Sequence, residues 1–173
     1  LRPGAWRRAR ASPAGYSANN YNRGDYKDIA DQQVYLNIDV VLGGGKQYLL
    51  PTEQGGKRKD GENLVQVLQG KGYQFIETRD QLMKVSSNKY WGLFAMDDMA
   101  YEFDRPTLRP QEPSLAEMTQ KAIETLSKNP KGFFLYVESS NVDWASHAND
   151  PLGVISDTLS FDAAVKVALD FAK

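Results

Sequence analysis

Phe133-Phe134-Leu135-Tyr136-Val137-Glu138-Ser139-Ser140-Asn141-Val142-Asp143-Trp144-Ala145-Ser146-His147 is the stretch from which the architecture of this chain is read. Its first five residues are apolar without alternation. A strand that lacks a two-residue period is buried on both faces, as in a parallel sheet covered by helices. The apolar run then breaks into Glu138, with Asp143 and His147 close behind. Ligands of open α/β sheets lie beyond the carboxyl ends of the strands, so these groups fall where a site is expected.

The flanks agree with that reading. Upstream, Ser114-Leu115-Ala116-Glu117 has the form of a capping box, in which the Ser hydroxyl and the Glu carboxylate each satisfy an amide of the first turn. Leu115, Met118, Ala122 and Leu126 continue that helix to Lys128, and Asn129-Pro130-Lys131-Gly132 stops it. Downstream, Phe161, Val165, Ala168, Leu169 and Ala172 form one stripe of a helix over 158–172.

Further out, Ile29, Gln33 and Leu36 have helical spacing from about Tyr26, whereas residues 11–25 read as either helix or loop. Ile38 to Leu42 is a buried strand that ends in Gly43-Gly44-Gly45. No Gly-Lys-Ser/Thr follows those glycines, so they read as turn residues, not as a phosphate cradle. Residues 51–61 read as a surface loop. Then come a helix from Glu62 to Gln69, a strand from Tyr73 to Ile76, a helix from Asp80 to Val85 and a strand from Tyr90 to Ala95. Residues 97–113, with Pro106, Pro110 and Pro113, read as irregular. Strands alternating with helices specify an α/β fold with a largely parallel sheet flanked by helices.

Composition narrows the function. The chain has 173 residues, the size of one domain or a piece of a larger one. Its 21 Lys and Arg against 22 Asp and Glu exclude a chain-wide basic surface for nucleic acid. No apolar run approaches the ~20 residues of a membrane span. Cysteine is absent, which excludes disulfides, thiolate metal sites and Cys nucleophiles. His147 is the single histidine, so one copy of the chain cannot build a site of two or three imidazoles. Residues 1–10 carry Arg2, Arg7, Arg8 and Arg10 and no apolar core, and are not a signal peptide. They read as foreign to the domain; a basic recruiting tail is the other reading.

If the segment after the apolar run turns helical, Asp143 and His147 at i and i+4 share one face. A carboxylate oxygen and an imidazole nitrogen one turn apart make half of a zinc site. Glu138 suits a harder, oxygen-seeking cation such as magnesium. The same residues also read as a solvated turn.

GFFLYVESSNVDWASHANDP resembles the metal-binding segment of alkaline phosphatases: an apolar strand, Val-Glu, four residues, Asp, three residues, His. NIDVVLGGGKQYL, PSLAEMTQKAIETLSKNPKGFFL, DTLSFDAAVKVALDFAK and ASPAGYSANNYNR are similar to four further blocks of that family, in its order. The resemblance covers residues 11–173, which then form a partial alkaline phosphatase domain, the central part of that fold.

The resemblance implies hydrolysis of phosphate monoesters at alkaline pH through a phosphoserine, at a site of two zinc ions and one magnesium. It implies that Asp143 and His147 ligate zinc, that Glu138 and Ser12 serve magnesium, and that Arg23 clamps phosphate oxygens. Arg suits the last task because its planar fork bonds two oxygens at once. Trp144 would tune the surroundings of the zinc. Without the resemblance, Arg23 reads as a surface residue and Ser12 as a turn or helix cap.

The family's Asp-Ser-Ala nucleophile has no counterpart in these residues, nor have an early metal-bridging Asp and the later Asp-His pair and His. Activity of the chain alone is therefore expected to be weak or absent. A periplasmic or secreted location, a homodimeric parent and inorganic phosphate as product are the family's expectations. The alternative reading is a non-catalytic chain that at most binds a metal ion.

Overall fold

The computed structural model describes residues 16–20, 22 and 24–173. The Arg-rich start, Ser12 and Arg23 lie outside the described residues. Three strands, β1 (Val40–Gly43), β2 (Gln74–Ile76) and β3 (Tyr90–Leu93), form a sheet in the order β1-β3-β2. Both pairings are parallel, with Val41 and Phe75 each opposite Trp91. The expected parallel sheet is therefore present, and β3 is its centre.

Alternate residues of the strands feed two cores. Val41, Trp91 and Leu93 pack with Ile29, Ala30 and Val34 of helix α1 (Tyr26–Tyr35) and with Leu64 and Leu68 of α2 (Leu64–Gly70). Val40, Leu42, Ile76 and Tyr90 pack on the other face with Leu82 of α3 (Arg79–Lys84) and with Met118 and Ala122 of α5 (Leu115–Leu126). Burying apolar side chains on both faces is what permits short, non-alternating strands. Between α3 and α5, residues 97–113 include one short helix, α4 (Arg105–Leu108), opened by Pro106 in its first turn.

The glycine turn after β1 is structural. Gly45 N–H donates to the Asp97 carbonyl, and the Lys46 and Gln47 amides donate to Ala95 and Met96. A Cβ on Gly44 would stand 2.2 Å from the Asp97 oxygen, so only glycine fits there.

Three expectations need correction. Residues 133–137 belong to no sheet ladder; they run as an irregular segment beside α5, with Leu135 packed on the second core. Phe134 is 70% exposed, far from burial on both faces. Among the described residues no strand pairs with this segment, and an apolar strand needs neighbours to be covered. The last helix, α7 (Pro151–Ala172), begins seven residues before the expected Thr158. Its start is set by the Asp150 carboxylate, which accepts from the Leu152 and Gly153 amides, and by Pro151 at the first position. Its expected core stripe is largely outside: Leu169 is 57% exposed, while Gly153, Asp157 and Ala164 are buried.

The third correction concerns loop 51–61, which is not wholly on the surface. Arg58 is 2% exposed, and its guanidinium lies 2.8 Å from Asp31, 2.7 Å from Asp60 and 2.9 Å from Glu62. It thereby ties the loop to α1. Removing a buried ion-pair partner leaves its counter-charges uncompensated. Arg58→Ala is expected to lower stability by about 3 kcal/mol, read as a lower urea midpoint at unchanged slope.

The Ser114–Glu117 capping box is present, with Glu117 N–H donating to Ser114 Oγ and Ser114 N–H to Glu117 Oε2. Burial pushes the Glu117 carboxyl up, but the Arg79 guanidinium and the Ser114 amide outweigh it, and the net shift is below the ordinary 4.5. A depressed carboxyl adds stability above its unfolded pKa, and that stability is lost as pH falls through the folded value. Melting temperature is therefore expected to drop on acidification below about pH 4.5, and less steeply in Glu117→Gln.

Candidate metal centre

The segment after Val137 does turn helical. Helix α6 (Ser140–His147) spans two turns. Its end is fixed by Asn149, which takes φ 53°, with Asn149 N–H donating to Ser146 O and Asp150 N–H to Ala145 O at 2.9 Å. These two bonds make a Schellman stop. Ala145 is fully buried against α7, where a Cβ on Gly153 would stand 2.9 Å from the Ala145 Cβ. That close approach sets which face of α6 looks outward.

The outward face carries Asp143 and His147. His147 Nε2 lies 3.6 Å from Asp143 Oδ1, and the side chains are 64% and 53% exposed. Two donors on a tetrahedral zinc at ~2.1 Å are about 3.4 Å apart, so the spacing suits a shared ion. Asp143 also sits in the first turn, where a carboxylate complements the helix dipole. A carboxylate oxygen and an imidazole nitrogen, both open to solvent, fit half of a zinc site and leave the other ligand positions free.

Glu138 stands apart from that pair. It lines a cavity of about 40 Å³ with Glu102, Arg105, Ser139, Asn141 and Asp157, and its Oε2 is buried. Among the described residues no three His, Asp or Glu side chains converge as a metal-binding group. Trp144 is half-buried, and its indole nitrogen is screened from solvent. The structure thus joins Asp143 to His147, while Glu138 lines a pocket whose walls include neither of them.

Reading the sequence missed Asp157. It is 5% exposed, and its Oδ2 accepts from the Glu102 amide at 3.1 Å and from Ser156 Oγ at 3.3 Å. The available signal was its place at helical spacing between Gly153 and Ala164, a charge on the inward face of α7. A larger cleft of about 580 Å³ opens past the carboxyl end of β3, lined by Lys46, Glu77, Asp97, Asp98, Arg109 and Glu112. Lys46 and Glu77 pair across it.

Comparison with known proteins gives one answer. The family model described as alkaline phosphatase matches residues 6–173. The chain is 40% identical over 171 residues to alkaline phosphatase 4 of Bacillus subtilis, covering 94% of this chain and 34% of that protein. It is 36% identical over 178 residues to the alkaline phosphatase of Escherichia coli, covering 90% and 38%. The crystal structure of the Thermus thermophilus alkaline phosphatase superposes with a TM-score of 0.86 at 33% identity, over 92% of this chain and 33% of that one. A variant of the TAB5 alkaline phosphatase, described with Mg bound in its M3 site, gives a TM-score of 0.75 at 30% identity, over 92% and 44%. The chain spans about a third of the length of the curated relatives it matches. No helix among the described residues is long and apolar enough to cross a membrane. Fold and kinship coincide: the chain belongs to the alkaline phosphatase family.

Proposed function

We propose that this chain is the central part of a metal-dependent phosphomonoesterase, and that Asp143 and His147 supply two ligands of one zinc ion. The observation that carries the reading is their separation of 3.6 Å on one face of α6. Held there, zinc supplies Lewis acidity toward a phosphate oxygen. Asp143 contributes an oxygen and His147 the neutral Nε2 lone pair. Glu138, in its own pocket, serves a magnesium ion together with Ser12. Trp144, next to Asp143 in sequence, tunes the surroundings of the zinc.

Arg23 binds the phosphate monoester. The planar fork of an arginine suits two parallel hydrogen bonds to phosphate oxygens and would offset the charge that grows on them during transfer. The attacking Ser, and the ligands that complete both zinc sites, come from polypeptide beyond these residues, as the family pattern requires. Reaction through a phosphoserine, a dimeric parent and a periplasmic or secreted setting belong to the same reading. Relatives spanning nearly three times this length support a source for those ligands outside these residues.

Zinc titration against a chromophoric chelator tests the metal pair. His147→Ala is expected to weaken zinc binding by about tenfold or more at pH 7.5, since one of two strong donors is lost. Equal affinity in the two proteins overturns the assignment.

A further inference from the structure

Helix α6 is too short to stand alone. Isolated helices below ~12 residues are marginal in water, and this one has 8. Ser139, at its N-cap position, makes no side-chain cap to the helix amides. Two of its three buried residues, Ser140 and Asn141, are polar, so its first turn is docked by hydrogen bonds more than by apolar packing.

Those bonds form a closed circuit around the 40 Å³ cavity. Asn141 Nδ2 donates to the Ala100 carbonyl at 3.0 Å. Ala100 N–H donates to Glu112 Oε2 at 2.9 Å, and Arg105 Nη1 donates to the Glu112 carbonyl at 3.2 Å. The Arg105 fork holds the Glu102 carboxylate at 2.9 and 2.7 Å. Glu102 N–H donates to Asp157 Oδ2, and Ser139 Oγ donates to the Asp157 carbonyl at 3.4 Å. The circuit starts and ends on the turn that opens α6.

We propose that Asn141 and Asp157 are positioning residues for the Asp143–His147 metal pair. Asn141 pins the first turn of α6 to Ala100. Asp157 acts one step back, holding residues 100–102 in place through the Glu102 amide. Together they keep the two-turn helix formed, which is what sets both donors at ligating distance. The proposal rests on the zinc reading above and adds residues that touch neither metal nor substrate. Loop 99–105, far from Asp143 in sequence, thereby becomes a determinant of metal affinity.

The test is zinc affinity, by chelator competition, of the parent chain and of Asn141→Ala, Asn141→Asp, Asp157→Ala, Asp157→Asn and His147→Ala, with thermal melts followed through buried Trp91. Asn141→Asp keeps the size but loses the donor; Asp157→Asn keeps an acceptor oxygen. Asn141→Ala, Asn141→Asp and Asp157→Ala are expected to bind zinc about fivefold more weakly, the scale of one lost buried hydrogen bond. Asp157→Asn is expected to stay near the parent value, and the Trp91 melts to stay together. Parent-like affinity in the Asn141 and Asp157→Ala variants, with His147→Ala still impaired, overturns the positioning role alone. Parent and His147→Ala binding alike overturns the zinc reading and the proposal with it. If Asp157→Ala does not fold, Asn141→Asp and Ser139→Ala carry the same comparison.

Discussion

The central strand β3 imposes the order of this molecule. It pairs in parallel along both edges and is buried over its whole length. A four-residue strand so enclosed must send successive side chains into opposite cores, and Tyr90 and Trp91 do so. Parallel neighbours in turn require crossovers, which α2 and α3 provide with the loops around them. The glycine turn and the residue 95–97 backbone then close the carboxyl end of the sheet by mutual hydrogen bonds. Gly44 is therefore a packing residue, fixed by the approach of a carbonyl.

Much of this was legible because it is local. The capping box of α5 satisfies its own amides within four residues, so Ser114 and Glu117 announce it without help from the rest of the chain. Asp143 and His147 were likewise legible, since an i, i+4 pair needs only a helix to meet. Residues 133–137 failed for the opposite reason. Their composition reports what they would bury among partners, and the described residues give them no partner strand. The start of α7 lies outside its apolar stripe, because the Asp150-Pro151 cap sets it and the stripe begins only later in the helix. Arg58 was not legible for a third reason. Asp60 and Glu62 stand beside it in the loop, but its burial is set by Asp31 on α1, and nothing in the loop marks it as the clamp of that distant carboxylate.

The structure separates two kinds of polar cluster. The Arg58 cluster joins elements already packed, and its work is stability. The circuit through Asn141, Ala100, Glu102 and Asp157 joins a helix that apolar contact alone would hold poorly. The first resembles a rivet. The second ties the helix that carries the exposed Asp143–His147 pair to residues buried well behind it.

Placing Asp143 and His147 on a single helix has a consequence for sequence change. The register between Asp143 and His147 is set by helical pitch alone. One inserted or deleted residue between them turns the imidazole by ~100° around the axis and breaks the pair. Replacing an intervening side chain leaves the register untouched. This stretch therefore absorbs substitution at Ser146 yet rejects any change of length, whereas the turn at Glu138 and Ser139, outside the helix, is the place where a shift in spacing would re-aim the Asp143–His147 face as a unit.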